Sequence, residues 1–155
     1  MIPFSLRLNA WIDETADRIF RECIVNWTEV DDFDPNDVEG TFQRHLQMFK
    51  KNKAVNIWTG AGENTIFADN QTNNKARLWH DYTHLTMGLG YDPMSEIQIG
   101  KIQQAQLPIH WWYEKALIDA DVTGQILYHN AYGEFPRDQR QFTLDYPTGG
   151  LPSKQ

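Results

Sequence analysis

Apolar residues recur at helical spacing over most of the chain, and the gaps between these stretches carry turn chemistry. From about residue 10 to 25, Ile12, Ala16, Ile19, Phe20 and Cys23 share a face, while Asp13, Asp17 and Arg21 take others; an amphipathic helix is predicted. After the acidic connector Glu29-Val30-Asp31-Asp32-Phe33, the pair Asp34-Pro35 offers a cap and a first-turn proline. They predict a second helix through about Lys50, burying Val38, Phe42, Leu46 and Phe49. Periodicity then lapses, so residues 53–73 read as an irregular loop, and 58–72 as either a pocket wall or lid or an ordinary connector. Gly60 and Gly62 lack the Gly-Lys-Ser/Thr ending of a phosphate loop.

A third helix is expected from Asn73 or Asn74 to about Met87. Gly88-Leu89-Gly90-Tyr91-Asp92-Pro93 reads as a turn in which glycine ends that helix and Asp92-Pro93 starts the next, which runs to about Leu107 before Pro108. A last long helix from about Ile109 to Tyr132 is apolar on more than one side and suits the centre of a bundle. Residues 134–155, with Pro136, Pro147 and Pro152, read as an irregular C-terminal strap that frays at its end. The expected fold is all-α, a single-domain bundle of about five helices.

Composition narrows the partners. The chain has 155 residues with 13% aromatic side chains, enough to bury a core without disulfides or structural staples. A net charge of -7 disfavours phosphate backbones, so nucleic acid is not an expected partner. Lys50-Lys51-Asn52-Lys53 reads either as an anion site or as a solvated helix end favoured by the dipole. The single cysteine, Cys23, forms no internal disulfide and has the spacing of a core residue. The N-terminus shows no leader pattern and the chain no run of eighteen apolar residues, so a cytoplasmic protein without a transmembrane segment is expected.

Chemistry concentrates in the third helix. On a helix turning about 100° per residue, His84 lies about 40° and Asp81 about 100° from His80, so two imidazoles and a carboxylate share a face. Glu96 arrives from the next helix as a fourth ligand, giving an N/O set suited to a divalent ion: zinc first, with iron or manganese as alternatives. Arg77, one turn earlier, either pairs with Asp81 or binds an anionic small-molecule substrate. His45 falls inside an apolar stripe, as a hydrogen-bonded core residue or an active-site group. In the last helix Glu114, Asp121, Gln125, His129 and Tyr132 lie within about 80° of one another, a polar ridge that is either a hydrogen-bond network or a substrate face.

The arrangement His80-Asp81-x-x-His84-x(11)-Glu96 resembles the metal motif of the ubiquinone (coenzyme Q) biosynthesis protein four family. The resemblance covers roughly residues 75–108. It implies a helical fold, a zinc-type site at those four residues, removal of a ring carboxylate from a quinone-like substrate, and contact with isoprenoid lipid. Two other readings stay open. His45, His80-Asp81 and Asp121 or Asp119 also follow the order of HD-type metal-dependent phosphohydrolases, with Arg77 or Lys50 on the phosphate. Alternatively the metal is structural and the aromatic-rich surface binds protein or lipid.

Overall fold

A computed structural model of the chain describes residues 3–146 and 150–155. Helix α1 (Leu6–Glu22) begins earlier than its apolar pattern predicts, because the Ser5 hydroxyl accepts from the Leu8 amide and caps it. It ends at Cys23, which is buried as expected. The next residues, Ile24–Thr28, form strand β1 and pair in parallel with β2 (Ala54–Trp58), in the register Ile24↔Ala54 to Thr28↔Trp58. Helix α2 (Val38–Asn52) forms the crossover between them, capped by Asp37 rather than Asp34. The fold is therefore mostly helical with a small sheet, not all-α. Five-residue runs of β-branched and aromatic residues are too short to display a period, and they reach strand geometry by pairing with each other.

The expected loop 53–73 is correspondingly shorter. Helix α3 (Asn70–Met87) starts at an Asp69 cap, leaving residues 59–69 between β2 and α3. Thr65, Ile66 and Phe67 of that segment are buried. Two arginines hold its carbonyls: Arg77 donates to Gly60 and Ala61, and to Trp58 at the end of β2, and Arg140 to Thr65 and Phe67. Backbone acceptors in a buried loop need such donors.

Helix α3 lies between α1 on one side and α4 (Pro93–Gln106) on the other. Trp11 meets Trp79 edge-on at 4.7 Å, and Lys75 pairs with Asp13 at 2.7 Å. Trp79 donates to Gln106 of α4. After Pro108, helix α5 (Trp112–Ile118), a π-helical segment (Asp119–Gly124) and helix α6 (Gln125–Tyr132) follow without a break. Counting these as one rod, and adding α7 (Gln139–Asp145), gives six helices among the described residues, one more than expected.

The additional helix lies in the expected strap. Asp138 caps α7 by accepting from the Gln141 amide, and Phe142 is fully buried. At the chain end the Gln155 amide donates to the Tyr128 hydroxyl at 2.7 Å. Pro147, which was read as part of the strap, lies outside the described residues, as do Met1 and Ile2 of the N-terminal stretch. No helix among the described residues is long and apolar enough to cross a membrane.

The π-helical segment breaks the polar ridge expected on one face of this rod. Its wider turns change the angle between residues on either side. Glu114 instead faces α1, accepting from Ser5 at 2.6 Å and from Arg7 at 2.8 and 2.6 Å. The Arg7 guanidinium holds the Glu114 carboxyl down at about 2. Helix α4 approaches the π-helical segment closely at Gly100, where a Cβ would stand 2.7 Å from Thr123 Oγ1 and 3.2 Å from Val122 Cγ1. Gly100→Val is expected to destabilise the fold by about 1–3 kcal/mol through overpacking, read from the urea midpoint. An unchanged midpoint contradicts this packing.

Candidate metal centre

The turn between α3 and α4 forms as its sequence suggests. Gly88 adopts φ 67 and caps α3, with its amide on the His84 carbonyl, and Asp92 caps α4 by accepting from Ser95. This turn sets Glu96, in the first turn of α4, against the last turns of α3. His80 Nε2 and Glu96 Oε2 are 3.0 Å apart, His84 Nε2 and Glu96 Oε2 3.1 Å, and the two Nε2 atoms 3.1 Å. Three ligand atoms thus form a nearly equilateral triangle, a group that can hold a metal ion.

The protons on the outer nitrogens are fixed by their partners. His84 Nδ1 lies 2.9 Å from the Leu89 carbonyl, which can only accept. His80 Nδ1 lies 2.9 Å from Gln103 Oε1, also an acceptor. Each imidazole therefore donates outward from Nδ1, and in its neutral form turns a lone pair at Nε2 toward Glu96 Oε2. Such outer partners are what orient histidine ligands in metal sites. Gln103 is 1% exposed.

Without a metal, a proton does part of the same work. Burial would depress the His80 imidazole, but the Glu96 carboxylate outweighs it and holds His80 up at about 9. Burial would raise Glu96, but His80 and then His84 pull it down to about 2. Burial also pushes Asp81 up, partly offset by His80 and His84. Asp81 shares the electrostatic environment but adds no atom to the triangle.

A cavity of about 350 Å³ opens beside His80 and Glu96. Arg77 and Asp121 line it with Trp58, Phe67 and Gln125, so part of segment 58–72 is indeed a pocket wall. Asp121 stands in the π-helical segment and accepts from Gln125 Nε2 at 3.0 Å. Burial raises its carboxyl to about 6, against the opposing pull of His80 and Arg77. Of the two roles open to Arg77, the pair with Asp81 is not made; its guanidinium goes to the carbonyls of Trp58, Gly60 and Ala61 and lies over the Trp58 ring at 5.2 Å. Burial lowers its pKa.

The remaining candidates, His45 and His129, do not themselves line the cavity, although His129 packs on Phe135, which does. His45 contacts Tyr91 Oη at 2.8 Å and Asp32 at 3.0 Å. Its Tyr91 partner packs edge-on against His84, with centroids 5.0 Å apart. His129 stacks with Phe135 at 4.6 Å. Sequence reasoning missed Gln103, although it stands seven residues after Glu96 and so on the same face of α4. It also missed the Leu89 carbonyl, for which no side-chain signal exists. Comparison with protein-family models, curated proteins and solved structures finds no match to this chain.

The pH dependence of stability follows from the two displaced groups. His80 is raised above its ordinary 6.5, so its contribution in the metal-free chain is full below 6.5 and fades as pH rises through about 9. Glu96 is lowered from 4.5, so its contribution is present above 4.5 and fades as pH falls through about 2. The metal-free melting temperature should therefore fall between pH 6.5 and 9, whereas the metal-loaded chain, with the Nε2 proton of His80 replaced by the ion, should not show that fall. Parallel thermal melts check this; identical profiles contradict it. Gln103→Leu should weaken metal binding by about 10- to 100-fold in a chelator competition.

Proposed function

We propose that the chain is a metal-dependent enzyme acting on a small molecule in the 350 Å³ cavity, with His80, His84 and Glu96 holding the ion. The carrying observation is the convergence of two Nε2 atoms and a carboxylate oxygen at 3.0–3.1 Å with both Nδ1 protons directed outward. Two imidazoles and one carboxylate would suit zinc, iron or manganese, and a set of three protein ligands would leave room for water or substrate on the ion.

A divalent ion bound there supplies Lewis-acid polarisation of a substrate oxygen, or a more acidic water. The protein supplies the rest. Asp121, with its carboxyl raised to about 6, holds or releases a proton on the cavity wall near neutral pH. Arg77 fixes the carbonyls at Trp58, Gly60 and Ala61, keeping that wall in place and adding positive charge beside Asp121. Trp58, Phe67 and Trp79 limit water around the reacting group. Loss of a ring carboxylate, the reaction implied by the family resemblance, falls within this class. The HD-type reading draws on His45, whose two ring nitrogens are engaged by Tyr91 and Asp32 outside the triangle.

Catalysis requires open coordination positions, and a structural site does not. In the cobalt(II)-loaded chain, acetohydroxamate should change the visible spectrum, with Asp121→Asn retaining the metal and Glu96→Ala binding it at least about 100-fold more weakly. No spectral change on adding acetohydroxamate would identify a closed, structural site.

A further inference from the structure

Asp121 offers the cavity a carboxylate oxygen that the protein leaves without a partner. Its Oδ1 accepts from Gln125 Nε2 at 3.0 Å, whereas Oδ2 has no hydrogen-bond partner among the described residues. Among those residues Asn73 Nδ2, Asn74 Oδ1 and Thr123 Oγ1 are unpaired and sealed from solvent; Asp121 Oδ2 is not sealed and keeps accessible surface. That surface belongs to the cavity, because Asp121 lines it and the carboxyl is otherwise enclosed enough for burial to raise it to about 6. The two cationic groups that pull against that rise, His80 and Arg77, line the same cavity. Neither makes an ion pair with Asp121 among the described residues. His80 holds Gln103 and Glu96, and Arg77 commits its guanidinium to the carbonyls of Trp58, Gly60 and Ala61. A carboxylate in an enclosed site without a contacting cation is costly, and Phe67, Trp79, Ile118 and Val122 make the wall around it largely apolar.

Resting on the metal-centre reading, we propose that the cavity takes a substrate with a primary ammonium group, which Asp121 Oδ2 binds while an oxygen of the same molecule meets the ion at His80, His84 and Glu96. The substrate class is an amine bearing an oxygen donor, with an apolar body between the two that fits the aromatic walls. An ammonium N–H fills the vacant acceptor and supplies the missing counter-charge together, a charge-assisted bond stronger than a neutral one. A hydroxyl fills the acceptor but brings no charge, and a methyl leaves the oxygen desolvated and unpaired. Discrimination against ligands without the amine is therefore built into the cavity.

Hexanohydroxamate, 6-hydroxyhexanohydroxamate and 6-aminohexanohydroxamate share one metal-binding head and differ only in the tail. Titrated by calorimetry into the cobalt(II)-loaded chain at about pH 7.5, where Asp121 is ionised, the amino compound should bind at least about 10-fold more tightly than the other two. Asp121→Asn and Asp121→Ser should each cut that preference to less than about 2-fold while retaining the metal, since Asp121 is not a ligand. A wild type without the preference, one that binds the hydroxyl tail as well as the ammonium, or a preference that survives in both variants overturns the proposal. A wild type that takes up no metal counts against the metal-centre reading instead. Hexylamine against hexanol on the metal-free chain then decides the role of Asp121: an amine preference lost in Asp121→Asn supports it, and no preference, or one that persists in the variant, overturns it.

Discussion

Two imidazole nitrogens and a carboxylate oxygen sit within 3.1 Å of one another at the junction of α3 and α4. Three electron-rich atoms at that spacing repel unless a cation lies among them, and both imidazoles have already committed their Nδ1 protons elsewhere. The surrounding turn enforces this. The His84 carbonyl accepts from the amides of Gly88 and Leu89, while His84 Nδ1 donates back to the Leu89 carbonyl. Gly88, at φ 67, lets the chain reverse there without the penalty a side chain would meet. The helix-ending turn and the orientation of a ligand are thus one piece of structure.

The cavity beside this centre is assembled from elements with different reasons for being there. Helix α3 contributes Asn73, Arg77 and His80 along one face. The end of β2 contributes Trp58 and the loop after it Ala61, both held in place by the guanidinium of Arg77. The π-helical segment contributes Asp121. Inserted turns of this kind often occur at functional sites because they redirect a side chain at some cost in helix geometry. Here the redirection separates Asp121 from Glu114, sending one to the cavity and the other to the capped start of α1.

The α3–α4 hairpin was the most legible part of the sequence. Gly88 and Asp92-Pro93 are strong local signals, and helical geometry brings His80 and His84 together over a single turn. Asp81 shows the limit of that argument: about 100° of separation permits a shared face, but among the described residues His80, His84 and Glu96 supply the converging atoms and Asp81 does not. The sheet was illegible because Ile24–Thr28 and Ala54–Trp58 depend on pairing across a helix, which no local period reports. Of the polar ridge expected on the last helix, Asp121 and Gln125 stay together while Glu114 faces α1, because constant 100° steps do not hold through a π-helical turn. Arg77 was read as a partner of charge, whereas the buried loop needed it as a donor to carbonyls.

The central claim is that the His80–His84–Glu96 triangle is a metal site. Anomalous diffraction from crystals of protein purified without chelator, paired with elemental analysis of the same preparation, addresses it directly. The account predicts about one divalent ion per chain, within about 2.0–2.2 Å of His80 Nε2, His84 Nε2 and a Glu96 oxygen. Fewer than about 0.2 ions per chain, or an ion bound elsewhere with the triangle closed around a proton, would contradict it.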